Sequence, residues 1–555
     1  MDTQRLVLFF IFSFSLLLLW DAWQKEQRPK PPPPAAAAGA VPGKAARVPD
    51  AAVPTPAQAT QGKPAAVPAA APAKGETIRV RTDLVVVDID TIGATVSRVE
   101  LLKHKQSDDL SKNLVLLGPG HQYTAQSGLT GEGGPNHRTP WQAQPGERSL
   151  AEGQDVLAVR FTGRGQNGLE VDKVFTFKRD SYVVDVALEV RNPGNAPVAP
   201  YAYFQLTHDG KIDGGGSELA QSFGAQSFTG FAQYTEGRKF HKVAFSDLDD
   251  GKPGHLARAE DGWLAFVQHY FVAAWLPAAK TAREYVMEKR SDGIYVARVV
   301  MGVGDIAPGA SARATAPLYV GPQEQRRLQA AAPGFDLVVD YGWLTIIAWP
   351  LFWLLDKFYS LSGNWGVAII LLTVLIKLVF FPLSAASYKS MAKMKLITPR
   401  LTKMREMYGD DRARMNQAMM ELYKTEKINP LGGCFPILVQ IPVFIALYWV
   451  LLAAIELRHA PFILWIKDLS ALDPYYVLPV LMSISMVLQT RMNPVPPDPV
   501  QAKVMQFMPY VFSVFFFFFP AGLVLYWLVN NILSIAQQWQ IQRMFDRDKT
   551  AHAKR

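Results

Sequence analysis

The chain has 555 residues, 49% of them hydrophobic and 19% charged, and carries a formal net charge of +9. That charged fraction is below the roughly 25% of ordinary soluble proteins, and a single cysteine, Cys434, excludes a disulfide framework and any cysteine-based zinc or iron–sulfur site. A net positive charge raises nucleic acid or an anionic membrane as partners, but the averages conceal a very uneven chain.

Leu6–Trp20 is an apolar run with no charge, short for the roughly 20 residues that cross a bilayer. Trp20 and Trp23 extend it toward the interface. The length also suits a cleaved signal, but Trp20-Asp21-Ala22-Trp23 is not a small-x-small cleavage site. Residues 1–28 therefore read as an uncleaved transmembrane anchor. Pro29–Gly75 holds 12 prolines and 17 alanines among 47 residues. Such a segment cannot bury enough apolar surface to offset its ordering entropy, so residues 29–76 read as an extended linker.

Residues 77–335 change character. Stretches such as IRVRTDLVVVDID, LEVDKVFTF and SYVVDVALEVRN alternate apolar and polar side chains with many β-branched positions, which is strand periodicity. Turn residues such as Asn192-Pro193-Gly194 and Asp292-Gly293 punctuate them. With no helical pattern between strands, the expected fold is a large all-β sandwich. A short helix is expected over Pro322–Ala332. Gly163–Gly168 matches GxGxxG, but strands flank it on both sides, so a hairpin turn is expected rather than a dinucleotide site.

The rest reads as a membrane protein. Residues 336–362 contain the Trp-rich stretch Gly342–Tyr359, interrupted by Pro350; an interfacial amphipathic helix is expected, in preference to a span. Five spans follow within residues 363–540, at about 366–383, 431–455, 475–490, 504–519 and 522–537. The last two derive from Val504–Ala536, 33 residues without a charge. One helix of that length would measure roughly 50 Å, too long for a hydrocarbon core of about 30 Å. Pro520-Ala521-Gly522 at its middle and basic flanks at both ends make it a hairpin. The segment 386–429 has ten Lys/Arg and five Asp/Glu, so the positive-inside rule makes it cytoplasmic. Six spans with both termini cytoplasmic and the β-domain outside then follow, and 541–555 is a basic cytoplasmic tail.

Three features bear on chemistry. Segment 386–429 reads as two helices joined near Tyr408–Asp411. Met391, Met394 and Met404 recur at helical spacing on the first arm, and Met415 and Met419 on the second. Those stripes either pack on each other or offer adaptable thioethers to varied apolar sequences. Lys377 lies within a span, where a lysine costs about 2.5–3.5 kcal/mol; it either snorkels to the interface or faces a polar groove. Thr373 shares its helical face, and Gln440, Asn530, Asn531 and Ser534 are other polar residues at membrane depth. Phosphate-loop, GxSxG and HExxH motifs are absent, and the nine histidines show no ligand spacing. No catalytic residue, metal or cofactor is expected.

Asn364-Trp365-Gly366, Ser390–Met394, Asn429–Pro436 and Phe519–Trp527 together resemble the YidC/Oxa1/Alb3 membrane protein insertases, over about 341–545. The layout of anchor, linker, β-domain and five-span core is similar to the Gram-negative form. The resemblance implies a non-enzymatic insertase and chaperone for inner-membrane proteins, acting with or without the Sec translocon. Its expected partners are nascent membrane proteins, the translocon and its accessory subunits, the bilayer, and ribosomes met by the basic loop and tail. It implies a periplasmic β-domain and a hydrophilic groove whose cation is Lys377, where arginine is common in the family, with Thr373, Gln440, Trp527 and Ser534 at groove-like positions. A polytopic transporter or channel with a periplasmic ligand-binding domain is the rival reading. It would usually show two related halves, and no repeat relates 366–455 to 475–536.

Overall fold

The computed structural model describes residues 75–106, 109–211, 228–408, 411–426, 435–493 and 499–553. The expected anchor, nearly all of the linker and Cys434 lie outside the described residues. The chain divides into two compact units. Among the described residues, the first comprises those up to Thr345 together with Leu452–Glu456; the second comprises Ile346–Leu451 and Leu457 onward.

The first unit is a β-sandwich of two nine-stranded sheets, and every strand pairing within them is antiparallel. One sheet runs Thr77–Arg81, Val85–Asp90, Thr95–Lys105, Thr124–Leu129, Tyr201–His208, Tyr295–Gly302, Arg283–Lys289, Arg258–Ala259, with Asn113–Leu117 also paired to Thr95–Lys105. The other runs Lys239–Val243, Gly230–Thr235, Trp263–Val267, Phe271–Trp275, Ser311–Pro322, Val183–Arg191, Glu170–Lys178, Val156–Arg164, Gln142–Ala143.

The sequence alternation appears directly in the burial. Along Val156–Arg164, Leu157, Val159 and Phe161 are buried while Val156, Ala158 and Arg160 are exposed. Central strands such as Phe271–Trp275 are buried throughout. Trp263, Trp275, Phe175 and Phe204 are among the fully buried side chains, each stabilising the fold by about 1.5–3 kcal/mol. The Gly163–Gly168 stretch joins two paired strands as a turn. There Gly168 has φ +81° and donates its N–H to the Gly165 carbonyl; the motif holds no dinucleotide geometry.

A lysine is buried between the sheets. Lys173 is fully buried, and its Nζ donates to the Gly93 carbonyl at 2.6 Å and the Ser127 carbonyl at 2.8 Å. The ammonium also lies 4.7 Å from the Trp141 ring centroid. Carbonyl acceptors replace the water this charge would otherwise lose. Beyond the last strand, the expected short helix runs Gln325–Ala331.

The second unit is helical. Its elements are α1 (Thr345–Ser362), α2 (Trp365–Val379), α3 (Phe381–Tyr408), α4 (Arg412–Thr425), α5 (Phe435–Ala453), α6 (Val477–Met492), α7 (Pro499–Phe515) and α8 (Ala521–Ala553). Pro350 does not break α1. The missing N–H leaves the carbonyl four residues back, on Ile346, where the side chain is 87% exposed and the helix is just beginning. Ala348, Leu351, Phe352 and Leu355 form its buried face, while Trp349 and Trp353 are exposed.

The Asn364-Trp365-Gly366 motif starts α2 by three separate contacts. The Asn364 side chain accepts from the Val367 N–H at 3.1 Å and donates to the Phe462 carbonyl at 2.9 Å. Trp365 stacks on Tyr359 at 4.1 Å. Gly366 is required by space, because a Cβ there would lie 2.1 Å from the Phe462 ring. The helix ends at Val379, and the chain bends by 65° into α3. The long apolar segment breaks where Pro520 precedes α8, after a short 3-10 turn at Phe516–Phe518. Among the described residues no single helix is long and apolar enough to cross a membrane; the bent α2–α3 pair meets that test jointly, and Val439–Ala453, Val477–Met492 and Ala502–Phe518 are shorter apolar helices.

Candidate functional site

Lys377 occupies the last turn of α2 and is only 6% exposed. Its Nζ donates to Ser534 Oγ on α8 at 2.7 Å. Ser534 Oγ in turn donates to the Asn530 carbonyl one turn earlier, at 2.8 Å. The Tyr388 hydroxyl on α3 also lies beside Ser534. Three helices therefore meet at one hydroxyl. Lys377 has no ion-pair partner among the described residues, and its side-chain acceptor there is the neutral Ser534 hydroxyl.

Gln440 joins this polar line from α5. Its Nε2 lies 3.4 Å from Asn530 Oδ1, a long contact at the edge of hydrogen-bond range. Asn531 donates to Ser485 on α6 at 2.9 Å, and both are buried. Gln538 reaches Asn493 Oδ1 at 3.2 Å. The face of α8 thus carries a ladder of polar contacts to its neighbours, as polar side chains do when water is scarce.

Thr373 is buried, but its hydroxyl donates to the Ile369 carbonyl of its own helix at 2.7 Å. It flanks the lysine without joining the network by a side-chain bond. Trp527 lies among rings: Phe516 at 4.4 Å, Phe444 at 4.9 Å and Phe519 at 6.4 Å between centroids. Its buried indole N–H has no acceptor among the described residues. Of the five expected groove residues, Lys377 and Ser534 are in direct contact and Gln440 is linked through Asn530. Tyr388, beside Ser534, and Ser485, which accepts from Asn531, were missed. Tyr388 lies in the basic segment just past the span, where nothing in the pattern directs a ring back to α8.

The α3–α4 hairpin has its own small core. Ile397 and Leu401 are buried, with Met394, Met419, Leu422 and Tyr423 packed on them, and Arg400 pairs with Glu426 at 2.6 Å. Met394 and Met419 thus serve the contact between the arms. Met391, Met404 and Met415 are half-buried, whereas the open methionines are Met407 (71% exposed) and Met420 (55%).

Comparison with known proteins bears on both units. A family model described as the YidC periplasmic domain matches residues 77–354, and one described as 60Kd inner membrane protein matches 357–549. A membrane protein insertase YidC from Dechloromonas aromatica is 53% identical over 550 residues, covering 98% of each chain. One from Nitrosospira multiformis is 54% identical over 561 residues, also covering 98% of each. Among solved structures, an active YidC insertase with its first transmembrane domain resolved is 18% identical with a TM-score of 0.39, covering 84% of this chain and 94% of that one. A galactose mutarotase related enzyme from Lactobacillus acidophilus is 7% identical with a TM-score of 0.30, covering 44% of this chain and 97% of that one. With both of its units matched, and relatives more than half identical along nearly the whole length, the chain belongs to the YidC family of membrane protein insertases.

Proposed function

We propose that this protein inserts inner-membrane proteins by giving the polar translocated segment of a substrate a charged, hydrogen-bonding resting place at Lys377. The observation that carries the reading is the buried ammonium bonded to Ser534, with no carboxylate paired to it among the described residues. An acidic residue at the centre of a bilayer costs about 2.5–3.5 kcal/mol. Attraction to a cation about 4 Å away at an effective dielectric near 20 is about 4 kcal/mol. The two are of similar size, so Lys377 offsets the crossing cost of one acidic residue without trapping it. Gln440, Asn530 and Ser534 supply exchangeable hydrogen bonds along the way, and Thr373 and Trp527 border the path. Apolar burial of the following span then draws the substrate into lipid.

In this reading the chain spans the membrane six times with both termini in the cytoplasm, and α1 lies in the interface through its exposed Trp349 and Trp353. The basic α3–α4 hairpin, segment 386–429, and the tail 541–555 face ribosomes. The open Met407 and Met420 join Met391, Met404 and Met415 as a surface for nascent apolar segments. The protein works both with the Sec translocon and independently of it.

The test is insertion in a depletion strain. Lys377→Arg should retain insertion, and Lys377→Ala should weaken it several-fold for substrates with acidic translocated tails but not for neutral ones. Equal insertion of an acidic-tailed substrate by Lys377→Ala and the natural protein would overturn the electrostatic role.

A further inference from the structure

Although the histidines show no ligand spacing along the sequence, the fold of the β-domain brings two of them together with a carboxylate. His121 ends the short turn Pro119–His121, and His208 ends the strand Tyr201–His208, with Asp209 next to it. His121 Nδ1 lies 3.4 Å and His208 Nδ1 3.5 Å from the same oxygen, Asp209 Oδ1. One ligand atom from each of the three residues falls within 4.8 Å of the others. A tetrahedral ion with bonds of about 2.0–2.1 Å separates its ligand atoms by about 3.3–3.4 Å. Two edges of the triangle already have that length.

The scaffold beneath these side chains is fixed. The Asp209 N–H donates to the His121 carbonyl at 2.9 Å, and Thr207 Oγ1 donates to the Gln122 carbonyl at 2.8 Å. Gly118 and Tyr123 exchange a pair of backbone bonds at 3.1 Å that closes the turn. Gln122 takes φ +48° to complete it. His208 is wedged against Phe266 at 4.4 Å and Tyr123 at 5.2 Å between ring centroids. The Tyr123 hydroxyl is buried with no hydrogen-bond partner among the described residues. His121 and Asp209 lie at the outer side of the cluster, 32% and 10% exposed at their side chains, which leaves an entry path.

We propose that His121, His208 and Asp209 form a binding site for a divalent transition-metal ion of the zinc type. Two neutral imidazoles and one carboxylate, with a fourth position open to water, suit Zn²⁺ better than Mg²⁺ or Ca²⁺, which prefer all-oxygen shells. Binding replaces the hydrogen bond that His208 Nδ1 accepts from the Gly210 N–H at 2.9 Å. It ties the turn carrying His121 to the end of the strand carrying His208. The site lies in the β-domain, far in sequence from Lys377 and independent of the insertion reading.

The test uses the full chain in detergent, purified without a histidine tag and stripped with a chelator. Titration with Co²⁺ should give visible bands of low-coordinate cobalt that saturate at one equivalent and are abolished by Zn²⁺. His121→Ala and Asp209→Asn, both at the more open positions, should each weaken uptake at least tenfold, while His459→Ala leaves it unchanged. Zn²⁺ should raise the unfolding temperature of the natural chain but not of His121→Ala. Absence of a saturable one-equivalent spectrum, or its persistence in the His121→Ala/Asp209→Asn double variant, would overturn the proposal. A circular-dichroism spectrum matching the natural chain keeps either variant interpretable.

Discussion

Acid should loosen the β-domain at His137. The imidazole is buried, with Nδ1 2.5 Å from the Tyr203 hydroxyl, which also accepts from the His137 N–H at 3.0 Å. Burial pushes its pKa down to about 3, with the positive charges of Arg138, Arg290, Lys173 and Arg298 acting in the same direction. In the unfolded chain an ordinary histidine titrates near 6.5. Between those two values the unfolded state binds more protons, so stability is complete above about pH 6.5 and falls as the pH drops, the loss ending near pH 3. The whole window is worth about 5 kcal/mol, and about 2 kcal/mol of it is lost between about pH 7 and pH 5. His241 and His255 are also pushed down by burial and add loss of the same sign. Pulse proteolysis in graded urea, following the β-domain fragment at the two pH values, measures the difference. His137→Gln should be less stable at neutral pH yet lose about 2 kcal/mol less on acidification. Identical pH dependence in the two proteins would refute the assignment to His137.

Four further outcomes follow from particular contacts. Lys173→Met removes the donor to Gly93 and Ser127 and leaves their carbonyls without it in a dry interior, so the β-domain should lose about 3 kcal/mol in the same urea assay; a loss below about 1 kcal/mol would contradict the contact's importance. Gly366→Ala places a methyl group 2.1 Å from the Phe462 ring and should cost about 1–3 kcal/mol. Asn364→Ala removes the cap of α2 and should cost about 1 kcal/mol, both read as increased protease sensitivity of the helical unit. Ser534→Ala removes the acceptor of Lys377 but keeps the ammonium, so it should insert acidic-tailed substrates nearly as well as the natural protein; a defect as deep as that of Lys377→Ala would show that the bond, rather than the charge, matters.

Much of the architecture was legible because it rests on local periodicity. Alternation along Val156–Arg164 gave strand and inward face together, and Pro520 marked the break before α8. Even Lys173 shares the inward register with Val171, Phe175 and Phe177. Its carbonyl acceptors come from Gly93 and Ser127, however, and no local pattern carries that information. The bend after Val379 was not readable either, since the apolar run continues unbroken through Phe380 and Phe381 into the next helix. Proline misled at position 350, where an exposed first turn tolerates the lost bond. For the candidate site, hydropathy singled out Lys377, because a charge in an apolar run is conspicuous. The meeting of Tyr388 with Ser534 and of Ser485 with Asn531, and the approach of His121 to His208, depend on tertiary packing between distant segments.

The most direct measurement is site-specific crosslinking of a stalled nascent membrane protein in intact membranes. A photoreactive residue at position 373 or 530, beside the Lys377–Ser534 contact, should capture the acidic translocated segment of the substrate during insertion. One at the exposed position 539 on α8 should not. Capture at 373 and 530 should fall several-fold when Lys377 is replaced by Ala and recover with Arg. Efficient insertion with no crosslink at either inner position, or crosslinks indifferent to the charge at 377, would contradict a passage through this site.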